Sequence, residues 1–328
     1  MDWTRIIINA LEASVGVQAV VFALAAIGLN VHFGYTGLLN FGQSGFLAVA
    51  AYGMAVTVQT FDLSLWLGVV IGLVAAVLLA LLLGIPTLRL RADYLAIVTI
   101  AAAEIIRLIA RSVTFEDTLG GSDGRQSFSS DFYALNPYPD GNYNIGKFGF
   151  NERVMWVLTV GWVLVGLSCL VVYLLMRSPW GRVLKAIRED EDAVRSLGKN
   201  VYSYKMQSLI IGGVLGCLGG FIYGLGQNSI QPDIFGTDTT FFAYTVLILG
   251  GAARVASPVV GAMIFWVLLS LTDNILNEAI DADYVNFINN TQVGQVRFML
   301  VGLGLMLLMI FRPQGIFGDR REIALDAR

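Results

Sequence analysis

Side chains that could do chemistry are few in this chain of 328 residues, and they are scattered. His32 is the single histidine, and both cysteines, Cys169 and Cys217, fall inside apolar runs. A lone histidine at the end of an apolar run is typical of a packing or hydrogen-bonding residue, and two separated cysteines offer neither a disulfide framework nor a metal motif. The residue types therefore predict no enzyme, no cofactor and no metal site.

One glycine-rich segment imitates a phosphate-binding loop. Residues 141–148 read GNYNIGKF, but Phe148 stands where a Ser or Thr would have to hold magnesium. The segment also lies in an acidic connection rather than between a strand and a helix. We interpret it as a chance match, so any dependence on ATP must come from another subunit. The sequence indicates no partner of the nucleic-acid class.

Charged side chains concentrate in one segment, 177–205, which separates two long apolar runs and holds seven of the 21 Lys and Arg residues. We predict that it contains a cytoplasmic helix of about three turns that ends at Gly198. A glycine there can take the left-handed conformation that ends a helix. Such a helix is a natural place for a soluble partner to bind.

Four adjacent carboxylates, at positions 189–192, are the feature of this segment that favours a partner. The alternative interpretation is a solvated loop that only follows the cytoplasmic bias toward basic residues. Four acidic residues weaken that bias, so a loop serving topology alone does not need them. The predicted contact residues, with the carboxylates supplying ion pairs to the partner, are Arg188, Glu189, Asp190, Glu191, Asp192, Ala193, Arg195 and Gly198.

Glu104 and Arg107 are charged residues inside an otherwise apolar segment, three positions apart and so on one helix face. A charge near the centre of a membrane helix costs roughly 2.5–3.5 kcal/mol, so we expect both to face protein or water and to pair. They are either pathway residues that meet the charges of a substrate, or a pair that locks this helix to its neighbours.

Glycines play two different roles in the predicted membrane domain. Gly212, Gly216, Gly220 and Gly224 recur at four-residue intervals, a stripe that favours close helix packing. The stretches 34–45 and 250–251 instead interrupt apolar runs, as broken helices do beside a cavity. From the first stretch we take as candidate pathway residues Tyr35, Thr36, Gly37, Asn40 and Gln43.

The elements that position these residues are membrane helices. The chain is 56% hydrophobic and only 14% charged, with a mean hydropathy of +0.70, which excludes an ordinary soluble domain. A crossing needs roughly 20 apolar residues. The clear candidates are Ile6–Leu29, Leu63–Ile85, Val154–Met176, Met206–Leu225 and Val293–Phe311, and the shorter ones are Ser44–Thr60, Tyr94–Ala110, Phe241–Gly251 and Pro258–Leu271.

These runs predict an all-α, polytopic integral membrane protein with about 8–10 transmembrane or re-entrant helices, forming one membrane domain over residues 1–328. Basic residues concentrate in 177–205, in the loop 86–93 and after Phe311, whereas the connections 229–240 and 274–292 have none. The positive-inside rule places the first group in the cytoplasm. Nine crossings with a cytoplasmic C-terminus would leave the N-terminus outside.

The connection 112–153 is predicted to be external, with three basic against six acidic residues. It is also rich in aromatic residues, which on so long a connection indicates a small folded cap or a docking surface. Docking of an external binding protein is the hypothesis that this composition supports. Its aromatic residues are Phe115, Phe128, Phe132, Tyr133, Tyr138, Tyr143, Phe148 and Phe150.

Blocks of sequence in a fixed order from residue 30 to 318 resemble the permeases of ATP-binding-cassette importers for branched-chain amino acids. Residues 192–198 resemble the Glu-Ala-Ala-x-x-x-Gly pattern of the coupling helix of such importers, with Asp-Ala-Val in place of Glu-Ala-Ala. The long connection 112–153 and the late Arg-Pro-Gln-Gly resemble the M-type subunit more than the H-type. The other blocks are 30–45, 89–99, 104–107, 120–124, 178–182, 249–251 and 311–315.

This resemblance implies a subunit of a heterodimeric pore in the inner (plasma) membrane, in contact with lipid. It also implies a second permease subunit, two cytoplasmic ATPases and an external solute-binding protein. The expected function is alternating-access import of branched-chain or other hydrophobic amino acids. The related permeases for urea and short amides share most of the blocks, so that substrate class stays open. An ion-coupled secondary transporter is a further alternative, disfavoured because only Glu12 and Glu104 are evident acids in the membrane.

Overall fold

The computed structural model describes residues 3–89, 92–145, 148–281, 292–311 and 314–318. Within them, helices account for almost all regular structure, and the predicted all-α membrane fold is confirmed. Two short antiparallel pairs of strands are the β structure of this part of the chain. The basic residues Arg91, Lys147, Arg312, Arg320, Arg321 and Arg328, used above to predict the orientation, lie outside the described residues.

The first third of the chain is a series of helices joined by short loops. The helices are α1 (Trp3–Val15), α2 (Val17–Leu29) with a π-helical continuation over Asn30–Tyr35, α3 (Gln43–Gln59), α4 (Leu65–Thr87) and α5 (Ala92–Arg111). A connection of short elements follows: 3₁₀ turns at Val113–Phe115 and Gly121–Asp123, helices α6 (Glu116–Leu119) and α7 (Ser130–Tyr133), and strands β1 (Arg125–Gln126), β2 (Asn142–Ile145) and β3 (Phe148–Asn151).

The remaining two thirds contain the longest helices and the charged segment between two of them. These elements are α8 (Glu152–Arg177), α9 (Pro179–Glu189), α10 (Glu191–Ser196), α11 (Val201–Gln227), strand β4 (Ser229–Ile230), a 3₁₀ turn at Pro232–Phe235, α12 (Thr237–Gly250), α13 (Ser257–Asp281) and α14 (Val293–Phe311).

Five helical segments of the described chain are long and apolar enough to cross a membrane: Val17–Tyr35, Leu65–Thr87, Glu152–Arg177, Val201–Gln227 and Ser257–Ile280. The other predicted crossings correspond to α3, α5, α12 and α14, which are shorter or carry charges. The prediction of a single span over Ile6–Leu29 was wrong. Gly16 takes an extended conformation (φ −67°, ψ 172°) and divides that run into α1 and α2.

The core of the domain is the crossing of α2 with α11, and it depends on glycine. A Cβ atom added to Gly28 would lie 2.3 Å from the Gly212 carbonyl oxygen and 2.7 Å from the Gly216 nitrogen. The two backbones therefore meet without side chains between them, which is the close packing that the glycine stripe predicted. Around this pair lie α3, α8, α12 and α13.

The connection 112–153 folds onto the ends of α11 and α8. Strand β1 pairs with β4 directly after α11, the Tyr133 hydroxyl donates to the Leu225 carbonyl at 2.6 Å, and Phe128 and Phe132 are buried. This connection and α9–α10 consequently lie at opposite ends of α8 and α11. The acidic connection 112–153 is thus separated from the basic residues of the segment 177–205 by the length of these helices.

Candidate functional site

The most irregular backbone inside the helical domain is the break between α2 and α3. The end of α2 widens into a π-helical turn over Asn30–Tyr35, and residues 37–42 have no regular structure. Gly37 has φ +74°, which is costly for any residue with a side chain. The break frees backbone groups that a continuous helix would pair, and neighbouring helices supply the missing partners.

Three helices hold the break in place. The Phe41 nitrogen donates to the Thr99 hydroxyl of α5 at 3.0 Å, and the Tyr244 hydroxyl of α12 donates to the Asn40 carbonyl at 3.0 Å. Thr36 bonds Ser208 of α11, with 2.7 Å between the two hydroxyl oxygens. The position of the break is therefore coupled to the positions of α5, α11 and α12.

His32 joins the break to α11 through both of its ring nitrogens. Nε2 lies 3.1 Å from the Leu209 carbonyl oxygen, and Nδ1 lies 3.1 Å from the Asn40 amide nitrogen. A carbonyl can only accept and the amide nitrogen can only donate. The imidazole is therefore neutral, with its proton on Nε2, and serves as a fully buried hydrogen-bonding residue.

Asn40 and Gln43 extend this buried polar network. The Asn40 amide nitrogen also donates to Gln43 Oε1 at 3.1 Å, and its Oδ1 accepts from the Gly42 nitrogen at 3.0 Å. Among the described residues, Gln43 Nε2 and the Ser44 hydroxyl have no hydrogen-bond partner although both are buried. A Cβ on Gly216 would lie only 1.7 Å from Gln43 Nε2, so the amide fills the space that this glycine leaves.

The candidate pathway residues of the break are not at the surface of the protein. Tyr35, Thr36, Asn40 and Gln43 are at most 2% exposed, and Gly37 is half-buried. The structure places them beside His32 and Ser208, in two hydrogen-bonded groups: Thr36 with Ser208, and His32 with Asn40 and Gln43. A solute could touch these side chains only after the break and the surrounding helices had moved apart.

A second break, between α12 and α13, lies against the first. Gly251 has φ +107° and Ala253 has φ +61°. The Asn30 side chain accepts from the Ala253 nitrogen at 2.8 Å and donates to the Arg254 carbonyl at 2.8 Å. A Cβ on Gly34 would be 2.7 Å from the Ala253 nitrogen, so glycine permits this approach. The first glycine-rich stretch is thus in direct contact with the residues that follow the second.

The charged segment forms two short helices, which corrects the prediction of one helix of about three turns. Helix α9 ends at Glu189, and Asp190 begins α10 as its N-cap by accepting from the Asp192 and Ala193 nitrogens at 3.0 and 2.9 Å. This N-cap is the physical reason for the division into two helices. An aspartate whose side chain accepts hydrogen bonds from the backbone nitrogens that follow it competes with continuation of the preceding helix. Gly198 ends α10 with the expected left-handed conformation, φ +73°.

The four carboxylates of positions 189–192 have different roles in the folded chain. Asp190 is the N-cap of α10, and Glu191 is paired with Arg195 and Lys205. Asp192 contacts Arg195 at 3.3 Å with a side chain that is 89% exposed, and Glu189 is exposed. Leu197 is 79% exposed at the tip of the segment. Asp192, Glu189 and Leu197 therefore remain accessible, whereas Asp190 and Glu191 are used within the chain.

Helix α9 is seated directly on the first break. The Arg188 guanidinium donates to the Gly34 carbonyl at 2.6 Å, and a Cβ on Gly37 would lie 3.3 Å from Arg188 Cγ. The Lys185 ammonium lies 5.7 Å from the centre of the Tyr35 ring. Leu184 and Ile187 bury the same face of the helix. The charged segment and the candidate pathway residues, separate in sequence, are one contiguous structure.

Glu104 and Arg107 lie apart from this cluster and are paired. Arg107 Nη2 is 2.6 Å from Glu104 Oε1, and Arg107 Nη1 is 2.5 Å from Asp233 Oδ1 in the segment after α11. Arg111 adds a contact of 3.2 Å to the same Asp233 oxygen. The group therefore ties α5 to the Pro232–Phe235 turn. The Glu104 side chain is nevertheless 37% exposed.

Several residues of the site were not identified from the sequence. Four of them are polar residues within apolar helices, which is a signal visible in the sequence, and the fifth, Asp233, lies in the Pro232–Phe235 turn. Their roles depend on which helices become neighbours, so no local pattern assigns them. These residues are Asn30, Ser208, Asp233, Thr240 and Tyr244. The described part of the chain contains no cluster of three or more metal-ligating side chains.

Comparison with known proteins gives consistent results. Residues 13–311 match the family model for the permease component of branched-chain amino acid transport systems. The chain is 28% identical over 316 residues to the high-affinity branched-chain amino acid transport system permease protein LivM of Salmonella typhimurium, covering 93% of this chain and 69% of that protein.

Two further relatives cover about nine tenths of both chains. The probable branched-chain amino acid transport permease protein LivM of Methanocaldococcus jannaschii is 25% identical, over 91% of each chain. The high-affinity permease protein LivH of Escherichia coli is 24% identical, over 90% of this chain and 91% of that protein.

Proposed function

The chain belongs to the permease family of branched-chain amino acid transport systems, and from this premise we propose that it is a membrane subunit of an ATP-driven importer for branched-chain amino acids. Its partners are a second permease subunit, two cytoplasmic ATPases and an external solute-binding protein, in the inner or plasma membrane. The observation that carries this proposal is the seating of α9 on the break between α2 and α3.

Helices α9 and α10 are the coupling segment, and they connect a partner to the membrane domain by a short route. The exposed side chains of Glu189, Asp192 and Leu197 provide a surface for an ATPase. On the opposite side, Arg188 holds the Gly34 carbonyl. A displacement of α9 by ATPase closure therefore moves the irregular backbone at 34–42 directly, through this contact.

The break then acts as the moving part of the pathway. Its backbone at Asn40 and Phe41 bonds to Tyr244 of α12 and Thr99 of α5, and the Thr36 side chain bonds to Ser208 of α11. When α9 shifts, these contacts exchange, and the amides of Asn40 and Gln43 become available to a zwitterionic solute. The unpartnered nitrogen of Gln43 supports this role, because a buried donor without an acceptor is costly in the closed arrangement.

Glu104 and Arg107 line the same pathway nearer the connection 112–153. The Glu104 side chain is 37% exposed, and its exposed neighbours on the same helix, such as Ile105 and Leu108, are apolar. Hydrocarbon is an unfavourable neighbour for a carboxylate. We assign this face to the contact with the second permease, where water and the ammonium and carboxylate of a substrate can reach the pair.

The test is uptake into vesicles that contain the chain, its partner subunits and the binding protein, with ATP inside. We expect uptake of leucine that requires ATP and that a proton or sodium gradient cannot replace. Uptake of urea in place of leucine would transfer the proposal to the amide class. Gradient-driven uptake without ATP would contradict it.

A matched pair of variants tests the coupling route. Arg188→Ala removes a charge-assisted hydrogen bond worth about 1.5–3 kcal/mol, so we expect leucine uptake to fall by about tenfold or more while the ATPases still hydrolyse ATP. Arg182→Ala on the exposed side of the same helix is the control, and it should keep normal uptake. Equal uptake by both variants would refute the route through Gly34.

A further inference from the structure

Two cavities adjoin at the end of α8 that begins at Glu152, next to the connection 112–153. Neither belongs to the site described above. The first has a volume of about 490 Å³ and is lined by α1, the Gly16 break, β3 and Val154. The second, also about 490 Å³, is lined by Val15, Met155, Leu158, Trp162 and Met263 among others. Phe150 lines both cavities and joins them.

The first cavity contains three polar side chains, of which one is a carboxylate. Its polar side chains are those of Asn9, Glu12 and Asn151. The Asn9 nitrogen donates to Asn274 Oδ1 at 3.2 Å, which leaves the Asn9 oxygen as an acceptor. Asn151 Oδ1 accepts from the Val154 nitrogen at 2.8 Å, which leaves the Asn151 nitrogen as a donor. Glu12 is half-buried, and no ion pair to it occurs among the described residues.

The second cavity is apolar. Its Trp162 indole nitrogen already donates to the Val15 carbonyl at 3.0 Å, and its Thr159 hydroxyl is engaged with the Tyr138 hydroxyl at 2.9 Å. The polar side chains in this lining therefore already have hydrogen-bond partners. The rest of the lining is aliphatic and aromatic surface. Such a cavity fits an alkyl chain rather than a polar solute.

The two cavities follow one another along α8 in the order of an amphiphile. Helix α8 begins at Glu152 and is one of the segments able to span a membrane. At a rise of 1.5 Å per residue, Trp162 lies about 12 Å further along the helix than Val154. The same part of α8 carries aromatic residues with polar groups: Trp156, Trp162 and, bonded to Thr159, Tyr138. Tyrosine and tryptophan are enriched at the interface between lipid headgroups and hydrocarbon.

We propose that the two cavities together bind one phospholipid of the phosphatidylethanolamine class. Its ammonium pairs with the Glu12 carboxylate and the Asn9 oxygen, its phosphate accepts from the Asn151 amide, and one acyl chain occupies the apolar cavity. The Glu12 charge selects an amine headgroup over an anionic one such as phosphatidylglycerol. The bound lipid would fix the junction of α1 and α2 against α8, and this holds whichever solute the protein carries.

Native mass spectrometry of the purified full chain, together with any co-purifying subunits, tests the proposal. Phosphatidylethanolamine and phosphatidylglycerol are added at equal concentration, and we expect the former to be retained preferentially. Glu12→Gln should reduce that preference by about fivefold, the effect of losing a partly exposed ion pair. Asp131→Asn, which neutralises an exposed carboxylate in the cap on α7, should leave the preference unchanged.

A second pair of variants tests the acyl-chain cavity. Met263→Trp fills it and should abolish retention of the lipid, whereas Leu268→Trp, on the exposed side of the same helix, should not. Glycerophosphoethanolamine, which lacks acyl chains, should not compete at the same concentration. The proposal is overturned by equal retention of both lipids in the parent protein, by an unchanged preference in Glu12→Gln, by retention in Met263→Trp, or by effective competition from the headgroup alone. The last result would indicate a site for a soluble amine, such as a lysine of an external protein.

Discussion

Gly220 of α11 is a position where a single methyl group should destabilise the membrane domain. A Cβ added there would lie 2.1 Å from the Leu47 carbonyl oxygen, 2.8 Å from its carbonyl carbon and 2.9 Å from its Cα. All three atoms belong to the backbone of α3. A rotamer change cannot relieve the overlap, so Gly220→Ala requires α11 and α3 to separate.

The size of the effect follows from that separation. Moving the Cβ to an ordinary contact distance needs roughly 1 Å of displacement, in an interior packed as densely as an organic crystal. Such overpacking costs about 1–3 kcal/mol, which exceeds the gain of up to about 1 kcal/mol from the better helix propensity of alanine. We therefore expect the free energy of unfolding to fall by about 1–2 kcal/mol.

The assay is unfolding of the purified protein in mixed micelles, followed by circular dichroism, for three glycine variants. Gly224→Ala meets only the ends of flexible or aromatic side chains, at 3.2 Å from Met54 and 3.3 Å from Phe128, and should change stability by less than about 0.5 kcal/mol. Gly166→Ala meets nothing within 4 Å and should stabilise the protein slightly. If Gly220→Ala is as stable as Gly166→Ala, the close approach of α11 to α3 is wrong.

Three further predictions concern the coupling segment and the connection 112–153. Asp190→Ala removes the N-cap of α10 and should weaken that helix by about 0.5–2 kcal/mol, so that less ATPase co-purifies with the membrane subunit, while Asp190→Ser restores it. Gly198→Val should cost about 1 kcal/mol or more at φ +73° and impair ATPase binding, and Gly198→Asn should be milder; equal binding by both would contradict the left-handed turn. Burial raises the pKa of the Tyr133 phenol; the unfolded chain therefore loses this proton first, and stability that is present below the usual pKa of about 10 declines as pH rises above it. Tyr133→Phe should show a smaller alkaline decline than the parent protein in a pH series of thermal unfolding.

The long apolar runs were sufficient to predict the fold class and most of the helices. The run predicted as Leu63–Ile85 is α4 (Leu65–Thr87), and the run predicted as Val154–Met176 is α8 (Glu152–Arg177). The apolar composition of a twenty-residue helix is a local property, so composition within a window predicts such helices well. The division at Gly16 escaped this reasoning, because hydropathy continues across a glycine whose backbone is extended.

The charged segment shows where local reasoning ends. A helix that stops at Gly198 was predicted because glycine alone readily adopts φ +73°. The interruption at Asp190 was missed, since an aspartate among four carboxylates gives no sign of whether its side chain will cap a helix or face the solvent. The ion pair of Glu191 with Lys205 likewise requires the turn that brings α11 back alongside α10.

Local sequence thus specified the membrane helices, the two glycine-rich breaks and the helix end at Gly198, because each depends on a few consecutive residues and their backbone preferences. Folding in three dimensions brought distant groups together: Asn30 to Ala253, His32 to Leu209, and Arg188 to the Gly34 carbonyl. These contacts join residues between 154 and 223 positions apart in the chain. Hydrogen bonds of this kind form only after helices pack, since the packing selects which buried polar groups can reach one another.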